Sequence, residues 1–76
     1  MTARPREAMP NLVTEAIEAR GLRDAYDARP PYQRNDYLRW IKEAKTDATR
    51  QKRVEQMLTE LDGGSTYMGM AWSPES

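Results

Sequence analysis

Two adjacent prolines, Pro30 and Pro31, interrupt the chain in the middle of its apolar periodicity. Proline has no backbone N–H, disfavours helix in the residue before it and is well tolerated at a first helical position. The pair therefore sets a boundary between a helix that stops before Arg29 and one that opens at Pro31. Gly21 and the step "KTDA" from Lys45 to Ala48 cut the chain in the same way, leaving four short segments. No segment alternates with period two over strand length. The expected fold is all-α, a small irregular bundle of four helices at about 10–20, 22–28, 31–44 and 47–61.

The first helix is expected to begin at Pro10, with Leu12, Val13, Ala16 and Ile17 as its apolar stripe and Arg20-Gly21 as its end. Leu22, Ala25 and Tyr26 repeat at i, i+3, i+4 in the second. In the third, Tyr37, Leu38, Ile41 and Ala44 share a face, with Trp40 at its margin. Thr46 caps the fourth, Asp47 sits in its first turn, and Val54, Met57, Leu58 and Leu61 are its buried stripe before Gly63-Gly64.

Residues 1–9 carry no periodicity, and "GGSTYMGMAWSPES" from Gly63 onward is rich in Gly and Ser. Both are expected to be flexible tails around one domain at 10–62. Tyr67, Met68, Met70 and Trp72 make the second tail unusually sticky, suited to docking back on the bundle or onto another chain.

With 76 residues and no Cys or His, the chain has no disulfide, no thiolate or imidazole zinc site and no imidazole base. No metal or cofactor is expected. Asp24 and Asp27 stand three apart on the short helix, but nothing apolar nearby would raise a carboxylate pKa. Ser65, Ser73 and Ser76 have no evident base beside them, and "GGSTYMGM" lacks the spacing and the Lys of a phosphate loop. An enzyme is not expected, and no catalytic residue is assigned. The N-terminus lacks a secretory apolar region and no run is long enough for a membrane span, so a cytoplasmic location is expected.

Twelve basic residues balance twelve acidic ones, so the chain as a whole exerts no pull on nucleic acid. Locally, Arg39, Lys42, Lys45, Arg50, Lys52 and Arg53 face only Glu43 and Asp47. With Arg34 and Trp40, all of these except Lys52 form the candidate partner-binding set: Arg34, Arg39, Trp40, Lys42, Lys45, Arg50 and Arg53. Two bland readings stand beside it. Tyr37, Trp40 and Ile41 at helical spacing are core, and the cations are a solvated face. Arg50 and Arg53 also suit an internal role, forked onto a carboxylate such as Glu43 or onto helix-terminal carbonyls.

From "AYDARPPYQRNDYLRWIKEAKTDATRQKRVEQMLTEL" the chain resembles the small helical domain of the bacteriocin-protection, YdeI/OmpD-associated family. The resemblance spans about residues 10–62 and rests on Tyr26, Pro31, Arg34, Asp36, Tyr37, Trp40-Ile41, the "EAK" from Glu43 to Lys45, Thr49, Arg50 and Arg53. The pattern departs at Tyr32 and Pro30, where relatives tend to carry Ser; the second departure removes a side-chain cap worth about 0.5–2 kcal/mol. Many relatives have a separate β-rich domain in front that these residues do not include, so an activity needing it is not carried over. The resemblance implies a bacterial, non-enzymatic domain that binds an unknown protein partner, with links to envelope stress or antimicrobial-peptide resistance. The competing expectation is nucleic acid or another polyanion on the basic face of the third and fourth helices. Oligomeric state is not legible.

Overall fold

The computed structural model describes residues 9–72. Four helices follow one another, α1 (Asn11–Ala19), α2 (Arg23–Ala28), α3 (Pro31–Lys42) and α4 (Asp47–Gly63), and a short hairpin of β1 (Thr66–Tyr67) and β2 (Met70–Ala71) completes the chain. The longest helix, α4, packs against α1, α2, α3 and β1, and so forms the spine.

Each boundary has a local cause. Pro10 flanks α1 rather than opening it: its extended backbone leaves its carbonyl to accept the amides of Val13 and Thr14 at 3.0 and 3.1 Å. At the far end Gly21, at φ 67°, lets its own amide reach Glu18 O at 3.1 Å while the Leu22 amide reaches Ile17 O at 2.9 Å. Those two bonds are a Schellman ending, and they turn Leu22 inward to start α2. Arg29 is extended because Pro30 follows, and Pro31 takes a first-turn position in α3 where its missing N–H costs nothing. Pro30 provides no side-chain cap, but its carbonyl accepts the Gln33 and Arg34 amides. The Thr46 hydroxyl accepts the Thr49 amide at 3.1 Å, the expected cap of α4, and Gly64 at φ 77° closes that helix.

Val13 and Ile17 of α1, Leu22 and Tyr26 at α2, Tyr37, Leu38 and Ile41 of α3, and Val54, Met57, Leu58 and Leu61 of α4 form one apolar core. Each such side chain contributes roughly 1.5–3 kcal/mol on burial. Leu12 departs from the expected stripe. It remains 42% exposed, because the face of α1 that meets α4 is centred on Val13 and Ile17.

The second correction concerns the segment expected to be a loose tail from Gly63. Gly63 still belongs to α4, and β1 pairs antiparallel with β2 in the register Thr66–Ala71 and Tyr67–Met70. Met68 and Gly69 form the two-residue turn with φ of 51° and 80°, the doubly left-handed geometry that suits the twist of a hairpin. Tyr67 and Met68 pack on the core, so the docking-back option is the one taken. The fold is a helical bundle with a hairpin lid at one side. Residues 1–8 of the tail expected at 1–9, and the last residues, 73–76, lie outside the described residues.

Candidate functional site

The hairpin covers a polar cluster that begins with one carboxylate inside an apolar stripe. Glu60 follows Met57 by one helical turn, faces the core side of α4 and is only 5% exposed. Its Oε1 accepts from the Tyr37 hydroxyl and from the Met68 amide at 2.8 Å; its Oε2 accepts from the Gly69 amide at 2.7 Å and from Gln56 at 3.2 Å. Burial pushes this carboxyl up, but the bonds from Tyr37, Gly69, Met68 and Gln56 together outweigh burial and hold its pKa below the ordinary value. The same contact acts oppositely on Tyr37, whose hydroxyl is pushed well above its usual pKa by burial and by donating to Glu60.

Arg29 is the cationic half of the cluster and is 3% exposed. Its guanidinium donates to Glu60 O and Thr66 O, each at 2.8 Å, and to Gln33 Oε1 at 3.2 Å, while the Trp72 ring lies over it at 4.3 Å. Gln33 in turn donates to the Tyr32 hydroxyl at 3.1 Å. Tyr67 meets the rings of Tyr32 and Tyr37 edge-on, and its hydroxyl donates to Asp36 at 2.6 Å. Burial and that bond push the Tyr67 hydroxyl well above its usual pKa. These bonds tie α2, α3, α4 and the hairpin to one another, so the cluster acts as a clasp.

The sequence-derived candidates separate into three groups. At the C-terminal end of α3, Arg53 donates to Trp40 O at 2.6 Å with its guanidinium 5.3 Å from the Trp40 ring. Arg50 donates to Ala44 O at 3.1 Å and to Asp47 at 2.6 Å. Trp40 O is a helix-terminal carbonyl of the kind one sequence reading assigned to these arginines, and Ala44 O lies just past the end of α3. Lys42, Lys45 and Lys52 are exposed and Arg39 is half-buried.

Arg34 stands apart from the others, in a half-open groove of about 300 Å³ between α2 and α3. Arg23, Tyr26 and Asp27 form one wall, one face of α2 at i, i+3, i+4; Pro31, Arg34, Asn35 and Leu38 form the other, one face of α3 at i, i+3, i+4, i+7, and Met9 closes an end. Arg23 and Asp27 are tied to each other at 3.2 Å. The Arg34 Nε is buried and has no hydrogen-bond partner, the only side-chain nitrogen or oxygen in that condition among the described residues. An unmet buried donor costs about 1–3 kcal/mol, so it marks a place where an acceptor would be welcome. Tyr26 on the α2 wall is raised in pKa by its burial, against the lowering effect of Arg34 and Arg23.

Arg29, Gln33 and Glu60 were missed as candidates. Their signal was present, since Gln33 precedes Tyr37 by four and Glu60 precedes Leu61 by one within buried stripes, and a polar residue at such a position needs partners.

The profile of the bacteriocin-protection, YdeI or OmpD-associated family matches residues 8–64. The chain belongs to that family. The match takes in the four helices, the groove, and the Arg29 and Glu60 anchors, and stops just short of the hairpin. No curated protein matches this YdeI/OmpD-associated chain. No solved structure matches it either.

Proposed function

We propose that this YdeI/OmpD-associated domain is a small, non-enzymatic protein-interaction module of the bacterial cytoplasm. The observation that carries the reading is the groove between α2 and α3. It combines apolar side chains, Met9, Tyr26 and Leu38, with an Arg34 Nε that no group among the described residues satisfies. At about 300 Å³ it lies at the small end of ligand cavities, a volume suited to one or two inserted side chains. The link to bacteriocin protection or envelope stress follows from the family description and belongs to the same proposal. No helix among the described residues is long and apolar enough to cross a membrane.

The polyanion reading has less support, since Arg50 and Arg53 engage the carbonyls of Ala44 and Trp40. Lys42, Lys45 and Lys52 are the exposed members of that basic set.

Immobilised full-length chain, incubated with bacterial cytoplasm at about 150 mM salt, where exposed charge pairs are largely screened, tests the reading. Three baits are compared: the unaltered chain, one with Arg34→Glu and Leu38→Gln in the groove, and one with Lys42, Lys45 and Lys52 changed to Glu. A protein retained by the first and third and lost by the second is the expected result. A ligand lost only with the third bait would contradict it.

A further inference from the structure

We infer that the groove between α2 and α3 receives a single carboxylate side chain of a partner protein, a Glu or Asp next to an apolar residue, which pairs with Arg34. The inference rests on the protein-interaction reading and specifies the partner's chemistry. Three observations carry it.

The first is the donor. A guanidinium binds a carboxylate through two parallel N–H groups, and Nε–H supplies one of them on an edge shared with a terminal nitrogen. In Arg34 that Nε is buried and has no partner among the described residues, so the side chain must turn outward for a ligand to reach it, whereas Arg29, Arg50 and Arg53 each donate to backbone carbonyls. The second is the charge balance. Arg23 and Asp27 neutralise each other across one turn of α2, which leaves Arg34 as the one unbalanced charge among the described residues that line the groove. One carboxylate cancels it. A phosphate dianion would bring a second negative charge toward Asp27 on the opposite wall, which disfavours that ligand. The third is the apolar lining: Tyr26, Leu38 and Met9 offer apolar surface within the same small volume, so a residue flanking the carboxylate finds cover while the acid reaches Arg34. An isolated carboxylate in water gains little from an exposed cation, but a partly desolvated fork is a stronger partner.

The test uses the full ¹⁵N-labelled chain and three acetylated, amidated tripeptides, Leu-Glu-Leu, Leu-Gln-Leu and Leu-phosphoserine-Leu, with amide and arginine Nε–H correlation spectra recorded during titration. The expected result is a saturable shift of the Arg34 Nε–H signal and of the Tyr26, Asn35 and Leu38 amides with Leu-Glu-Leu. Leu-Gln-Leu is expected to bind at least about tenfold more weakly, the factor given by losing one charge-assisted bond. Arg34→Lys, which keeps the charge and loses the fork, is expected to weaken Leu-Glu-Leu while the rest of the spectrum stays unchanged. Equal affinity for Leu-Gln-Leu would overturn the carboxylate assignment and leave the groove as a docking site. Tighter binding of the phosphoserine peptide would overturn it in favour of phosphate. A groove whose signals stay still with all three peptides would overturn it too, and the protein-interaction reading would then be judged by the bait comparison alone.

Discussion

Glu60 and Gly69, nine residues apart, are joined by a bond of 2.7 Å from the Gly69 amide to the Glu60 carboxylate. Together with the Met68 amide it makes the hairpin turn a small receptor for one acidic side chain of α4. Met68 sits at φ 51°, a conformation that costs a non-glycine residue roughly 1 kcal/mol, and this contact holds it there.

Glu60→Gln keeps the shape but turns an –NH₂ toward at least one donor. The expected loss is about 2–3 kcal/mol, the scale of a buried charge-assisted bond plus an unmet donor, measured as a lower urea midpoint. Trp72, which stacks on Arg29, is expected to report a loosened hairpin by red-shifted fluorescence at low urea.

Acidification follows from the same residue. Glu60 has a folded pKa held below its ordinary value, so the unfolded chain takes up the proton first and stability falls as pH drops. Its contribution is fully present above the ordinary carboxylate pKa of about 4.3 and disappears as pH passes through the lowered folded value. The stability gap between the unaltered chain and Glu60→Gln is therefore expected to narrow toward acid; a gap independent of pH would refute it. At the other end, Tyr37 and Tyr67 are raised, so their contribution is intact below their ordinary pKa of about 10 and is lost as pH climbs above it.

Gly21→Ala tests a turn rather than a contact. An added Cβ meets nothing within 4 Å, so the cost is the left-handed backbone alone, about 1 kcal/mol. Gly21→Asn is expected to cost less, because Asn tolerates that region. Thermal unfolding of both variants checks the order.

Arg53→Ala removes a bond to Trp40 O and a ring contact. A destabilisation of about 2 kcal/mol is expected, combining a charge-assisted bond with a partly exposed cation–π contact. A neutral effect on urea unfolding would return Arg53 to the list of residues available for a ligand.

Much of the bundle was legible because helical stripes, prolines and the Thr46 cap are local signals. Tyr37, Leu38 and Ile41 followed from spacing, and Gly21 from its place after Arg20. Leu12 was misplaced because a stripe read from sequence fixes its width poorly, and the partner helix decides which flank is covered. The hairpin was missed for a different reason. Two residues per strand cannot show alternation, its turn has Met68 where Asn is usual, and its anchors Arg29 and Glu60 lie far back in the chain. The basic residues could be read either way, since the sequence does not reveal that Arg50 and Arg53 reach the end of α3. The groove combines faces of two helices, and only their packing brings Arg34 beside Tyr26.

The central claim is that Arg50 and Arg53, beside the end of α3, serve the fold rather than a polyanion. Its most direct test is fluorescence anisotropy of a labelled DNA duplex titrated with the full chain at about 50 and 200 mM salt, the range in which counterion release is diagnostic. The expected result is no saturable binding at either salt. Saturable binding at the lower salt that collapses at the higher one, and that is lost when Arg50 and Arg53 are changed to Glu in a chain still folded by circular dichroism, would contradict it.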